Sequence, residues 1–184
     1  MCKYPKGVSS NCGSYYYRGL TPQEKREALD EHNRVRSRVA VGSTSHPSAA
    51  NMMELQWDEE LAALAQRHAD QCSFVHDCSD CRKVSRFRVG QNLLRDKSIS
   101  NESPNWRFAI ESWFREIKDY PNVDNSATYR YIHSVSSTYK ANPFIIRFIP
   151  GTGHFAQMTW AGTTLVGCGH ITYMNRETQP KIAR

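Results

Sequence analysis

His154 follows the turn Gly151-Thr152-Gly153 and precedes Phe155, Gln157, Met158 and Trp160, a stretch with no second charge. Glycines on both sides of Thr152 permit a sharp turn or a close backbone approach, so the imidazole is presented at a place the fold fixes. A second histidine, His76, stands beside Asp77 and Cys78; a carboxylate, Glu116, sits in REIKD; and an amide, Gln91, sits in VGQNLL. Imidazole nitrogen and carboxylate oxygen each suit Zn²⁺ or Cu²⁺, whereas a glutamine offers only a weak carbonyl oxygen, and nothing local joins these residues into one ligand set. His76 and His154 are far apart in sequence, so local spacing does not join them. If they meet in space, metal binding weakens as pH falls through the histidine range.

The six cysteines, Cys2, Cys12, Cys72, Cys78, Cys81 and Cys168, form no zinc-finger pattern, because the single C-x-x-C, Cys78 to Cys81, has no second pair downstream. Disulfides in an oxidising compartment are the reading. Met1 directly before Cys2, with no apolar signal region, is expected of a mature secreted protein given a start methionine. The formal charge of +6 suits an anionic partner, yet the basic residues are spread along the chain, and RVRSR and CRKVSRFR are interrupted by apolar or hydroxyl residues. They read as solvated faces, which argues against nucleic acid. No run approaches the 18 apolar residues that would suggest a membrane span.

Elements must then place these groups. A chain of 184 residues is read as one domain preceded by an arm over residues 1–20. Thr21-Pro22-Gln23-Glu24 is a capping box with proline at the first helical position, so a helix is predicted from Pro22 to Ala40. A loop covers Gly42 to Ala50. A second helix, capped by Asp58, carries Leu61, Leu64, Ala65, His68, Ala69 and Cys72 on one face. A cysteine-bearing loop leads into VGQNLL, predicted as a short strand, and Asn101 is a possible glycosylation acceptor. A third helix over Asn105 to Tyr120 has an aromatic stripe of Trp106, Ile110, Trp113, Phe114, Ile117 and Tyr120, with Glu116 on its edge. NPFIIRFIP reads as extended and LVGCGHITY as one strand. His32 and His68 lie on apolar faces and are read as core histidines, and His170 takes no functional role. Helices alternating with a few strands imply a mixed sheet sandwiched by helices.

GHFAQMTW, together with HNRVR, ELAALAQRHADQC, VGQNL and WFREIKDY in that family's order, resembles the CAP superfamily (cysteine-rich secretory, antigen 5, pathogenesis-related). The opening CKYPKGVSSNCGSYYYRGLTPQEK is similar to the arthropod antigen 5 branch of venom and salivary proteins. The resemblance implies an α+β fold, a three-layer α-β-α sandwich with a disulfide-tethered arm, over residues 21–184. It implies a cleft formed by His154, His76, Glu116 and position 91, where Gln91 replaces the usual glutamate and removes one charge. It implies a Cys12–Cys72 disulfide and a bond from Cys2 to Cys78 or Cys81. The family partner of Cys168 lies on a final strand beyond this chain's last residue, so Cys168 is expected to be free and the chain to lack that strand.

The function the resemblance implies is a secreted, non-enzymatic protein that sequesters a small hydrophobic ligand (a lipid or sterol), a Zn or Cu ion, or both, and so modulates host defence; folding requires no cofactor. A serine hydrolase or a metal-dependent redox activity at the histidines is the first alternative, although no G-x-S-x-G occurs and Gln91 removes one orienting acid. A protein-binding effector aimed at a host target is the second, although the chain has neither an Arg-Gly-Asp tripeptide nor the cysteine-rich tail of channel-blocking relatives.

Overall fold

The computed structural model describes residues 4–44, 46, 48–49, 51–82, 84–96, 103–120 and 151–174. Its elements in chain order are β1 (Tyr15–Arg18), α1 (Pro22–Ala40), β2 (Gln56–Trp57), α2 (Glu59–Ala69), α3 (Trp106–Phe114), α4 (Gly153–Met158), β3 (Leu165–Val166) and β4 (Ile171–Tyr173), with 3₁₀ turns at Ser10–Cys12, Ser79–Cys81 and Arg115–Lys118. Asn101, the segment NPFIIRFIP and Cys2 lie outside the described residues.

α1 begins where the sequence predicts. The Thr21 hydroxyl accepts from Glu24 N, and Glu24 Oε2 accepts from Thr21 N at 2.6 Å, so two amide protons left over at the helix start are satisfied reciprocally. Tyr17 of β1 donates its hydroxyl to the same carboxylate at 2.7 Å and ties the arm to the helix. The buried face of α1 (Ala28, Val35, Val39) packs on Trp106, Ile110, Trp113 and Phe114 of α3 and on Phe155 and Met158 of α4, forming the apolar core. Of the polar residues buried on α1, Glu24, His32 and Arg36, the arginine is the deepest, 2% exposed. Its guanidinium donates to the carbonyls of Met53, Met158, Trp160 and Thr163 and thereby pins the chain that leaves α4. Burial pushes it down to about 10, so it remains charged at neutral pH.

The strands form two small sheets. β1 pairs antiparallel with β4, with an irregularity between Tyr15 and Tyr17, and β2 pairs parallel with β3. The single strand expected over LVGCGHITY is therefore two strands. Gly167 and Gly169 explain the break: a Cβ would stand 2.2 Å from Ala62 N at the first and 2.3 Å from Gln66 N at the second. The chain thus lies directly on the backbone of α2, where the Gln66 side chain bonds the amide and carbonyl of His170, a carbonyl that also accepts from Gly19 N at 2.9 Å. Cys168, between the two glycines, packs toward the core of α1, α3 and α4. Helices on the two sides of the strand region make the architecture α+β in α-β-α order.

The arm is fastened by the Cys12–Cys72 disulfide, as expected, and by an ion pair in which Arg18 binds both oxygens of Asp70 at 2.9 and 2.7 Å. The expected bond from Cys2 to Cys78 or Cys81 is corrected, because these two cysteines bond each other. The 3₁₀ turn has three residues per repeat, which brings positions three apart onto one side, here with Cα atoms 5.1 Å apart. Cys168 is free.

Candidate functional site

Glu116 falls two residues past the end of α3, in the 3₁₀ turn Arg115–Lys118 into which the helix tightens. That tightening aims its carboxylate at the first turn of α4. The Thr152 side chain gives α4 no cap, and Glu116 Oε2 supplies one by accepting from His154 N at 2.9 Å and Phe155 N at 3.0 Å. Its Oε1 accepts from His154 Nδ1 at 2.6 Å. A carboxylate only accepts, so Nδ1 carries the proton and the neutral imidazole keeps its Nε2 lone pair free. Trp113 stacks on the ring, centroids 6.1 Å apart and planes 22° from parallel. The His154 side chain remains 31% exposed and that of Glu116 20%.

The segment VGQNL reaches this group from the other side. No strand forms there: two of its backbone carbonyls bond to side chains, Val89 O accepting from Arg82 Nε at 2.8 Å and Leu93 O from Trp113 Nε1 at 3.1 Å, while the Asn92 side chain donates from Nδ2 to the backbone carbonyl of His154 at 3.1 Å. Gly90 lets the segment approach α4, since a Cβ there would stand 2.0 Å from Gln157 Oε1. Gln91 Oε1 bonds Nδ1 of the exposed His76 at 2.7 Å. With that oxygen accepting, Nδ1 of His76 is also the protonated nitrogen and Nε2 is left free.

The structure therefore organises the four expected residues as two pairs, His154 with Glu116 and His76 with Gln91, linked through the adjacent residues Gln91 and Asn92. Both imidazoles have the form in which metal-ligating histidines occur, one nitrogen donating to an acceptor and the other open. Glu116 orients His154 and, with its oxygens occupied by three N–H groups, acts as support to a ligand. Among the described residues no group of three or more His, Cys, Asp and Glu side chains is arranged to hold a metal ion. The donor set that remains is two imidazoles, which fits a divalent ion completed by water.

Asn92 and Gly90 belong to the site although the sequence reading did not single them out, and Trp113, read there only as part of the aromatic stripe, stacks on His154. The only signal available was the order G-x-N beside a candidate ligand. His32 and His68 are buried as expected, bonded to Ala28 O at 2.7 Å and Val75 O at 3.0 Å. No helix of the described residues is long and apolar enough to cross a membrane.

Comparison with known proteins shows the family and the fold. The family model described as "Cysteine-rich secretory protein family" (CAP) matches residues 29–178. The chain belongs to the CAP family. Venom allergen 5 of Rhynchium brunneum is 37% identical over 94% of this chain and 72% of its own, and venom allergen 3 of Solenopsis invicta is 35% identical over 98% and 74%. "CRISP/Allergen/PR-1" of Trittame loki is 42% identical over 88% of this CAP chain, which spans only 37% of that protein. The chain likewise spans 35% of the venom allergen 5 of Tityus serrulatus. Among solved structures, "Crystal structure of NaASP2 with Zn2+" superposes with a TM-score of 0.61 at 24% identity, covering 91% of this chain and 80% of that one, and supports the fold.

Proposed function

We propose that this venom allergen 5-like CAP protein is a secreted, non-enzymatic binding protein whose cleft takes a divalent metal ion, Zn²⁺ or Cu²⁺, through His76 and His154, and that it acts on host defence by sequestration. The observation that carries this reading is the pair of Nδ1 bonds, to Glu116 and to Gln91, which leaves Nε2 of both histidines as the available donor. Two neutral ligands with water completing the shell give an exchangeable site, since no protein carboxylate or thiolate adds charge to it.

The other readings have less support. A hydrolase needs a serine hydroxyl within reach of its base, and among the described residues no serine hydroxyl bonds either imidazole. A lipid cavity walled by the α3 stripe competes with packing, because Trp106, Trp113 and Phe114 are buried in the core. The groove of about 460 Å³ at the start of α3 is lined by Glu27, Glu31 and Arg107 as well as Trp106, which suits a polar occupant better than an acyl chain.

Calorimetric titration with Zn²⁺ and Cu²⁺ tests the proposal on wild type, His154→Ala and His76→Ala at pH 7.5 and 5.5. Micromolar binding at pH 7.5 that is lost in each variant and at pH 5.5 supports it. Absence of binding in the wild type, or binding indifferent to both substitutions, overturns it.

A further inference from the structure

The two disulfides among the described residues sit in contrasting environments. Cys12 is 0% exposed and its bond to Cys72 closes a separation of 60 residues at the root of the arm. Cys78 is exposed, Cys81 is half-buried, and their bond closes a separation of 3 residues on a surface turn. Access of a thiolate to sulfur sets which disulfide of the folded protein exchanges, and it places Cys78–Cys81 first.

The turn also has the means to stay folded when the bond is open. Cys81 N donates to Cys78 O at 2.8 Å. Arg82, the next residue, pairs with the Asp77 carboxylate, donates to Asp77 O at 2.9 Å and reaches across to Val89 O at 2.8 Å. These contacts hold both ends of the turn without the sulfurs. We propose that Cys78–Cys81 is a site of reversible exchange with low-molecular-weight thiols, which form a mixed disulfide at Cys78 while Cys12–Cys72 remains closed.

The step balances without a further oxidant. An external thiolate attacks Cys78 Sγ, the Cys78–Cys81 bond breaks, and Cys81 leaves as a thiolate that takes a proton from water. A second external thiolate attacks the outer sulfur of the mixed disulfide and releases Cys78 as a thiolate. Two external thiols are oxidised to one disulfide and the protein pair gains two electrons. Cys168 does not take the attacking role, since it packs against the core and burial pushes its thiol up to about 12. The exchanging turn lies two residues after His76, and Arg82 anchors the strand-like segment two residues before Gln91, so the modification sits at the rim of the histidine cleft.

Peptide mapping of the non-reduced protein comes first, followed by native titration with glutathione at fixed ratios to its disulfide, alkylation and mapping of the labelled cysteines. The expected result is full labelling of Cys78 and Cys81 at glutathione ratios that leave Cys12 and Cys72 unlabelled, with circular dichroism unchanged. In Cys81→Ser, glutathione disulfide should load Cys78 faster than it loads Cys81 in Cys78→Ser. The proposal is overturned if the non-reduced map joins Cys78 or Cys81 to another cysteine, if Cys12–Cys72 opens as readily, or if opening the turn unfolds the domain. None of these readouts depends on metal binding.

Discussion

Replacing Glu116 separates its two roles, capping α4 and orienting His154. Glu116→Ala leaves His154 N, Phe155 N and His154 Nδ1 without the acceptor they share. Three bonds at a net of about 1 kcal/mol each, strengthened by the carboxylate's charge and weakened by its partial exposure, give a loss of about 3 kcal/mol. At about 2–4 °C per kcal/mol for a domain of this size, the unfolding midpoint should fall by roughly 6–12 °C. Glu116→Gln keeps one accepting oxygen but turns an NH₂ toward the remaining donors, so it should lose about half as much. Metal affinity should fall about 10–100-fold in either variant, because a ligating imidazole loses the partner that fixes its tautomer. Thermal unfolding by circular dichroism and calorimetric titration read the two effects separately. A Glu116→Ala protein that melts within a degree of wild type would refute the capping argument, and one that binds metal equally well would refute the orienting argument.

Arg36→Met orphans carbonyl acceptors on both sides of the core and should cost about 3 kcal/mol or more in urea unfolding, with Arg36→Lys recovering only part because an ammonium lacks the planar fork. Burial holds His32 below its ordinary value of 6.5, against the opposing bond that its Nδ1 donates to Ala28 O, so the native state binds fewer protons than the unfolded chain; stability should fall as pH drops below 6.5, by at most about 1.4 kcal/mol per pH unit for this one group, and His32→Gln should flatten that limb. Glu24 behaves with the same sign at lower pH: burial raises it, but the bonds from Thr21 and Tyr17 outweigh burial and lower it below 4.5, so stability is lost as pH falls through its native value and Glu24→Gln should remove that acid limb. Gly167→Ala should destabilise by about 1–3 kcal/mol through overpacking, because the new methyl meets rigid backbone of α2, whereas Gly90→Ala meets only the end of the Gln157 side chain and should cost much less in the same unfolding assay.

What the sequence made legible follows how local each signal is. The start of α1 was readable because Thr21, Pro22 and Glu24 act on one another within a single turn, and the structure forms the capping box they imply. The N-cap of α2 at Asp58 and the burial of the α3 stripe are of the same kind. The strands were less legible. LVGCGHITY has strand composition, but its two glycines fit the backbone of a helix about a hundred residues earlier in the chain, and no local pattern announces that contact. VGQNLL failed as a strand for a related reason, since Arg82 and Trp113 occupy the carbonyls of Val89 and Leu93 that a ladder would use.

The site shows the same division. His154, His76, Glu116 and Gln91 could be named only through resemblance, and even then their chemical roles were not readable. A carboxylate beside two histidines looks like a third ligand in a sequence. Only the direction of its lone pairs, fixed here by three N–H groups of α4, makes Glu116 a support. The cysteines argue the point from the other side. Family resemblance sent Cys78 or Cys81 to a distant partner, while the geometry of a 3₁₀ turn makes them partners of each other. For a bond three residues long, local conformation is enough to decide the pairing, and a comparison of whole chains carries no information about it unless the same turn recurs.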